Sequence, residues 1–322
     1  MSKSKIEKVL VLGSGILGGQ IAFQSAYKGK QVTVYDINKD AIAACKQRHK
    51  EYGIIYQQDV NATAEDIKKT FSRITYTTDI TTAKNSDFII EAVPEVPLIK
   101  IGIYKKLQEY INEETLIATN SSTLLASDFV NHFKYPRNYC ALHFANMIWK
   151  ANIAEVMSTP ETSAETLTRV FSFAIEIGMI PFPVEKENHG YILNGWLVPL
   201  TTAAITLVAN GVGTPENIDR LFLICNKGAQ LGPLGMVDVI GMKTTVNILS
   251  YWAEQHNDLQ MFKNAKFIQE SYVELGKLGL ASGEGFYKYP NPAYAQPGFL
   301  ETPDFSAVPD LVAKTLYKGK AE

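Results

Sequence analysis

The first half of the chain alternates between two textures. Short apolar runs rich in β-branched residues recur at KVLVLG (8–13), QVTVYD (31–36), DFIIEAV (87–93), TLIATN (115–120) and NYCALHF (138–144). Stretches of helical periodicity separate them, over 16–28 and in IYKKLQEYI. IAEVM (153–157) and IPFPVE (180–185) read as two further strands around a helix over 162–178. Near-continuous apolar strands alternating with helices predict an α/β doubly wound domain, a parallel sheet covered on both faces. From His189 the strand runs stop, and helical patterns follow at 190–210, 215–230, 243–256 and 264–276. Thr214 with Pro215 behind it is a good helix start, N-cap and first turn. The pattern therefore predicts residues 1–187 as the α/β domain and 188–322 as an all-helical C-terminal domain. The proline-bearing tail after GEGFYKYP is expected to wrap the surface.

A length of 322 residues agrees with about two cores. Lys and Arg number 31 against 33 Asp and Glu, with no long block of either sign, which argues against nucleic acid or an acidic membrane surface as partner. The segment 190–211 is long and apolar, but Asn194, Pro199, three threonines and Asn210 make it a buried helix rather than a membrane span. The opening MSKSKIEKVLVLG enters a strand at once, without the pattern of a secretory signal. Cys45, Cys140 and Cys225 are odd in number, far apart and outside any CxxC, so a cytoplasmic, reducing setting is expected. His49, His132, His143, His189 and His256 show no metal-ligand spacing, and no metal is expected.

Chemistry enters with VLGSGILGGQIA, where Gly13, Gly15 and Gly18 have G-x-G-x-x-G spacing between a predicted strand and a predicted helix. Gly13 makes the turn, Gly15 lets a pyrophosphate approach the backbone, and Gly18 packs helix on sheet. The helix start at Ile16 and Leu17 offers unpaired N–H groups and a positive dipole end to phosphates. Asp36 closes the second strand about twenty residues later, where it accepts the adenine-ribose hydroxyls and repels a 2′-phosphate. The first domain is thus expected to be Rossmann-type, with NAD favoured over NADP as cofactor.

Ligands of such sheets bind at the C-terminal ends of the strands. Glu91 and Glu95 follow one strand, with Lys100 one turn into the next helix; Asn120-Ser121-Ser122 ends another, and His143 ends a third. A lone histidine after an apolar strand is commonly a packed core residue. Glu155 changes the picture, because a carboxylate in the apolar run NIAEVM is costly to bury unless paired. Beside His143 it would fix the tautomer and stabilise the imidazolium, as an alcohol-oxidising base requires.

NSSTL, LHFAN, AEVM, HGYILNGWLVP, LGPLGMVDVIG and SGEGFYKY, in this order behind the glycine loop, resemble the 3-hydroxyacyl-CoA dehydrogenase family from Lys8 to about Tyr289. The resemblance implies reversible NAD-dependent oxidation of an (S)-3-hydroxyacyl thioester, with a short-chain substrate as in the 3-hydroxybutyryl-CoA enzymes, and a homodimer. Residue by residue, it implies His143 as catalytic base, Glu155 as its partner, and Ser122 and Asn194 as further catalytic groups. It also maps cofactor contacts onto Glu95, Lys100, Ser122 and Asn146. The chain departs from the family at Ala145 and Met147 beside the base, at His189 and Gly195 around Asn194, and at Ala281. The lysine-rich stretch that helps hold CoA is replaced by EYGIIYQQDV, leaving Lys46, Arg48 and Lys50 upstream as candidates for its phosphates. Met147, Ile148 and Trp149 are expected to crowd a long acyl tail. The missing lysines make a free 3-hydroxy acid of the gulonate or carnitine type the leading alternative substrate. A non-catalytic NAD-binding relative of the crystallin kind is a second.

Overall fold

A computed structural model describes residues 4–297 and Phe299. Along the first half run β1 (Lys8–Leu12), α1 (Ile16–Tyr27), β2 (Gln31–Tyr35), α2 (Lys39–Asp59), α3 (Ala64–Ser72), β3 (Ile74–Thr77), β4 (Phe88–Glu91), α4 (Pro97–Leu107) and β5 (Leu116–Thr119). β6 (Tyr139–Phe144), β7 (Ile153–Met157), α5 (Ala164–Glu176) and β8 (Ile180–Val184) complete this part. The eight strands form one sheet in the order β3-β2-β1-β4-β5-β6-β7-β8. Strand order reverses between β1 and β4, so the turn after β1 opens into the crevice where such sheets bind nucleotides.

The predicted strands are present, and the structure adds two features. β3, a short threonine-bearing strand, pairs with β2 at the sheet edge. β7 runs antiparallel to β6, the one reversal in a sheet otherwise parallel. The connection between them is too short for the helical crossover a parallel pair needs. β1, β4, β5 and β6 are buried almost throughout, as the apolar runs require. α2 buries Ile42, Cys45, His49, Tyr52 and Tyr56 at alternating three- and four-residue spacing, and Phe23 of α1 meets the rings of His49, Tyr52 and Tyr56 edge-on.

By packing, one unit ends at Asn194 and the second starts at Gly195, because the segment up to Asn194 belongs with the sheet. The helices that follow are α6 (Leu193–Ala209), α7 (Pro215–Cys225), α8 (Pro233–Ile240), α9 (Met242–His256) and α10 (Leu259–Ile268). Thr214 caps α7 through its side chain, with Pro215 in the first turn. The predicted helix over 215–230 stops at Cys225, and that over 264–276 starts earlier, at an Asp258 cap, and ends in a π turn. α8 lay hidden under its Gly and Pro residues. The second unit has its own core, including Leu234, Val237, Met242, Leu249 and Ile268. No helix among the described residues is long and apolar enough to cross a membrane. The expected course of the tail lies outside the described residues.

Candidate active site

The glycine loop is tight where it touches protein and open where a ligand belongs. A Cβ on Gly13, whose φ is +100°, would sit 2.4 Å from the Ala92 carbonyl oxygen. One on Gly18 would sit 2.1 Å from that of Gly13. Both positions are closed to side chains. A Cβ on Gly15 would meet nothing within 4 Å. Gly15 caps α1 without any side-chain bond, and the first turn holds no acid, so the N–H groups at Ile16 and Leu17 keep their affinity for an anion. Asp36 anchors this loop. Its Oδ2 accepts the N–H and hydroxyl of Ser14 at 2.8 and 2.7 Å, and its Oδ1 accepts the Asn38 N–H. In the loop after β6, the buried Oδ1 of Asn146 accepts no hydrogen bond among the described residues. An open glycine, a bare helix start and an orphaned acceptor fit a dinucleotide cofactor.

His143 and Glu155 face each other directly across the β6–β7 pair. Nδ1 of the imidazole lies 2.7 Å from Glu155 Oε2, and Nε2 lies 3.1 Å from the Ser122 hydroxyl. The ring is buried, with 3% of the residue exposed. A carboxylate only accepts, so the bond to Glu155 assigns the proton to Nδ1 and leaves the Nε2 lone pair toward Ser122. The other oxygen of Glu155 accepts the N–H groups of Ile192 and Leu193, each at 2.8 Å, at the start of α6. Asn194 follows, and its amide donates to the Ser122 carbonyl at 3.3 Å. His143, Glu155, the start of α6, Asn194 and Ser122 thus close a ring of contacts. The sequence brought these four residues forward from four separate places, and the fold brings them together.

A second network supports the Ser122 side. Glu91, fully buried, accepts from Lys100 at 2.8 Å, from the Thr119 hydroxyl at 2.8 Å, from the Val93 N–H at 2.9 Å, and from the Tyr104 hydroxyl. Lys100 is 1% exposed and also meets Glu95 at 3.2 Å. Glu95 gathers the turn after β5, accepting the N–H groups of Ser122, Thr123 and Leu124 at 3.0, 2.9 and 3.2 Å and the Ser121 hydroxyl. Desolvation pushes the Glu95 carboxyl up. The Lys100 charge, the Ser121 hydroxyl and the two later N–H groups outweigh it and hold the pKa below the ordinary value. For Lys100, burial disfavours the charge, but Glu91 and Glu95 together raise its pKa. Its ammonium is buried and held by two carboxylates. Composition gave no signal for the Tyr104 and Thr119 contacts, which depend on α4 and β5 lying beside the end of β4.

Two expectations about the substrate change. Ile148 is buried in the core, and Trp149 turns away, its rings near Tyr52 and Tyr56 and its indole N–H donating to Asp59 at 3.0 Å. Met147 is half-buried, with a left-handed backbone and its N–H on Gln20. On α2, Arg48 donates to the Ser14 carbonyl at 2.6 Å and Lys46 lies over the Tyr76 ring, so both already have partners; Lys50 is exposed.

Residues 8–188 match the model of the 3-hydroxyacyl-CoA dehydrogenase NAD binding domain, and residues 190–289 match that of the family's C-terminal domain. Hydroxyacyl-coenzyme A dehydrogenase, mitochondrial, of Sus scrofa is 30% identical over 293 residues, covering 89% of this chain and 92% of that protein. Among solved structures, a diketoreductase described in substrate-directed dual catalysis of dicarbonyl compounds is 43% identical, with a TM-score of 0.77 over 90% of this chain and 100% of the other. The (S)-3-hydroxybutyryl-CoA dehydrogenase PaaH1 of Ralstonia eutropha is 25% identical, with a TM-score of 0.73 over 88% and 99%. A glycine loop built for NAD and two consecutive matching domains lead to one assignment: the chain belongs to the 3-hydroxyacyl-CoA dehydrogenase family of NAD-dependent oxidoreductases.

Proposed function

We propose that the chain interconverts a short (S)-3-hydroxyacyl-CoA and its 3-ketoacyl-CoA, with His143 as general base. The observation that carries this reading is the imidazole held between Glu155 and Ser122 with its Nε2 lone pair toward the Ser122 hydroxyl. NAD, when bound, supplies the two-electron acceptor for the hydrogen on C3. Nε2 takes the hydroxyl proton as the carbonyl forms, and Glu155 stabilises the resulting imidazolium from the other side. Ser122 exchanges its bond to Nε2 for one to the reacting oxygen. Asn194 holds the Ser122 backbone, and Asp36 keeps the glycine loop shaped for an unphosphorylated adenosine ribose. The acyl preference rests on Met147.

A second reading takes a small 3-hydroxy acid or dicarbonyl compound without CoA. The occupied side chains of Lys46 and Arg48 favour it, as does the 43% identity to the diketoreductase. Comparing kcat/KM for acetoacetyl-CoA, acetoacetate and a β-diketo ester separates the two. A clear preference for the thioester supports the first, and equal values for acetoacetyl-CoA and acetoacetate leave CoA without a role. In either case His143→Ala should lower kcat by about 10²–10⁴. A folded variant with near-native turnover removes the base assignment and favours a binding role.

We further propose a homodimer through the helical domain. Leu207, Val212, Leu221, Ile224 and Leu275 expose apolar side chains there, and burial against a second copy is the common way to cover such faces. Light scattering at micromolar concentration should report twice the chain mass; a monomer would count against it.

A further inference from the structure

The segment entering α6 brings a second aromatic ring onto the imidazole. Gly190 and Tyr191 both have left-handed backbones, with φ of 77° and 59°. That conformation is unusual for a bulky residue and persists only where the surroundings hold it. The reversal turns the next two N–H groups onto Glu155 and lays the Tyr191 ring along His143. The ring centroids are 4.9 Å apart and the planes 25° apart. Tyr191 is 2% exposed, and its hydroxyl makes no hydrogen bond among the described residues. The ring face, rather than a polar tether, therefore accounts for its place.

We propose that Tyr191 is a positioning residue for the catalytic base, fixing the plane of the His143 imidazole and favouring its protonated form through the π face. The proposal rests on His143 being the base. The bonds at Nδ1 and Nε2 lie near the plane of the imidazole and tolerate some tilt, whereas a ring packed on its face does not. Ser122 must also release Nε2 when the substrate proton arrives, while the stacked ring stays in contact through the step. An aromatic face attracts a cation within about 6 Å, and more strongly in a site shielded from water. The Glu155 carboxylate faces the same imidazole from β7, and the Ser122 hydroxyl from the turn after β5. Glu95, Tyr139 and Cys140 lie within electrostatic range of the phenol, and Lys100 pairs with Glu95. His189 contacts the Thr123 carbonyl at 3.0 Å.

The test is the pH profile of kcat/KM in the oxidative direction for three variants of the full chain. Tyr191→Phe keeps the ring and should hold kcat within about twofold, with the acid limb unmoved. Tyr191→Asn removes the ring but keeps a residue that tolerates the left-handed backbone. It should lower kcat about tenfold and move the acid limb about half to one pH unit lower, since a less favoured imidazolium loses its proton more easily. Pentafluorophenylalanine at position 191 keeps the ring shape and reverses its quadrupole, so it should shift the limb the same way even if the Asn variant fails to fold. An unmoved acid limb with the fluorinated ring overturns the proposal, as does Tyr191→Phe behaving like Tyr191→Asn. Near-native turnover by His143→Ala would instead remove the base assignment itself, a separate outcome.

Discussion

Both units of the molecule bury carboxylates, and they hold them by different means. In the sheet unit, Glu91 meets the Lys100 ammonium and Glu155 meets the His143 imidazole. In the helical unit, Asp219 accepts the N–H groups of Leu234 and Gly235 and the Tyr287 hydroxyl. Asp238 accepts those of Phe286 and Tyr287 and the Tyr289 hydroxyl. Neutral donors satisfy the lone pairs but do not supply an opposite charge. Burial therefore dominates at Asp238 and pushes its carboxyl up to about 6, against the N–H and tyrosine bonds that lower it and with Asp219 adding to the rise. The contrast separates two uses of one residue class. In the sheet unit a carboxylate positions a basic side chain, Lys100 or His143, and in the helical unit an unpaired acid ties a chain segment, here FYKY, to a helix.

Removing the cation should give the largest effect. Lys100→Met leaves Glu91 buried without its counter-charge and should cost about 3–5 kcal/mol of stability. Chemical denaturation checks it, and a loss below 1 kcal/mol would mean that the pair is held open to water.

Acid should next draw opposite responses from the two units. His49, fully buried behind the glycine loop, has its pKa lowered to about 4 by burial, with the nearby Arg48 charge adding to the effect and the Gly19 carbonyl opposing it. Its contribution is complete above the ordinary value of 6.5 and is lost as pH falls toward 4. Asp238 has the opposite sign. Its raised pKa means the folded form keeps a proton that the unfolded chain has released, so its contribution is greatest below about 4 and is lost as pH rises through 6. Each amounts to about 3 kcal/mol. Hydrogen exchange followed from pH 6.5 to 4.5 should show protection falling in the sheet unit while the helical unit holds or gains. A parallel fall in both would break the comparison.

The smallest effect sharpens it. Asp238→Asn turns an amide toward an N–H donor and should cost about 1–3 kcal/mol at neutral pH. It should also abolish the acid-side gain of the helical unit, read by the same exchange experiment.

Local chemistry was legible and long-range geometry was not. The glycine loop and Asp36 could be read because turn, helix start and strand end lie within a few residues of one another. Glu155 stood out because a charge in IAEVM demands a partner, and the motif order supplied His143. The four carboxylate bonds at Glu95, the Lys100 ion pairs and the Tyr191 ring depend on where strands and helices come to lie side by side, and nothing in the local pattern marks them. β3 escaped notice because its threonines dilute an already short run, and Trp149 was misplaced because its direction is set by α2.

The lone reversal at β6–β7 has a consequence for how this chain can be redesigned. In an antiparallel pair, the residue opposite His143 is chosen by register alone, and a shift of one position on β7 would send Glu155 through to the other face of the sheet. Residues 145–152 between the strands carry no such constraint in their own number. An insertion there that spares Asn146, the buried Ile148 and the Trp149–Asp59 bond leaves the facing pair in register, while a single deletion inside IAEVM moves Glu155 off His143.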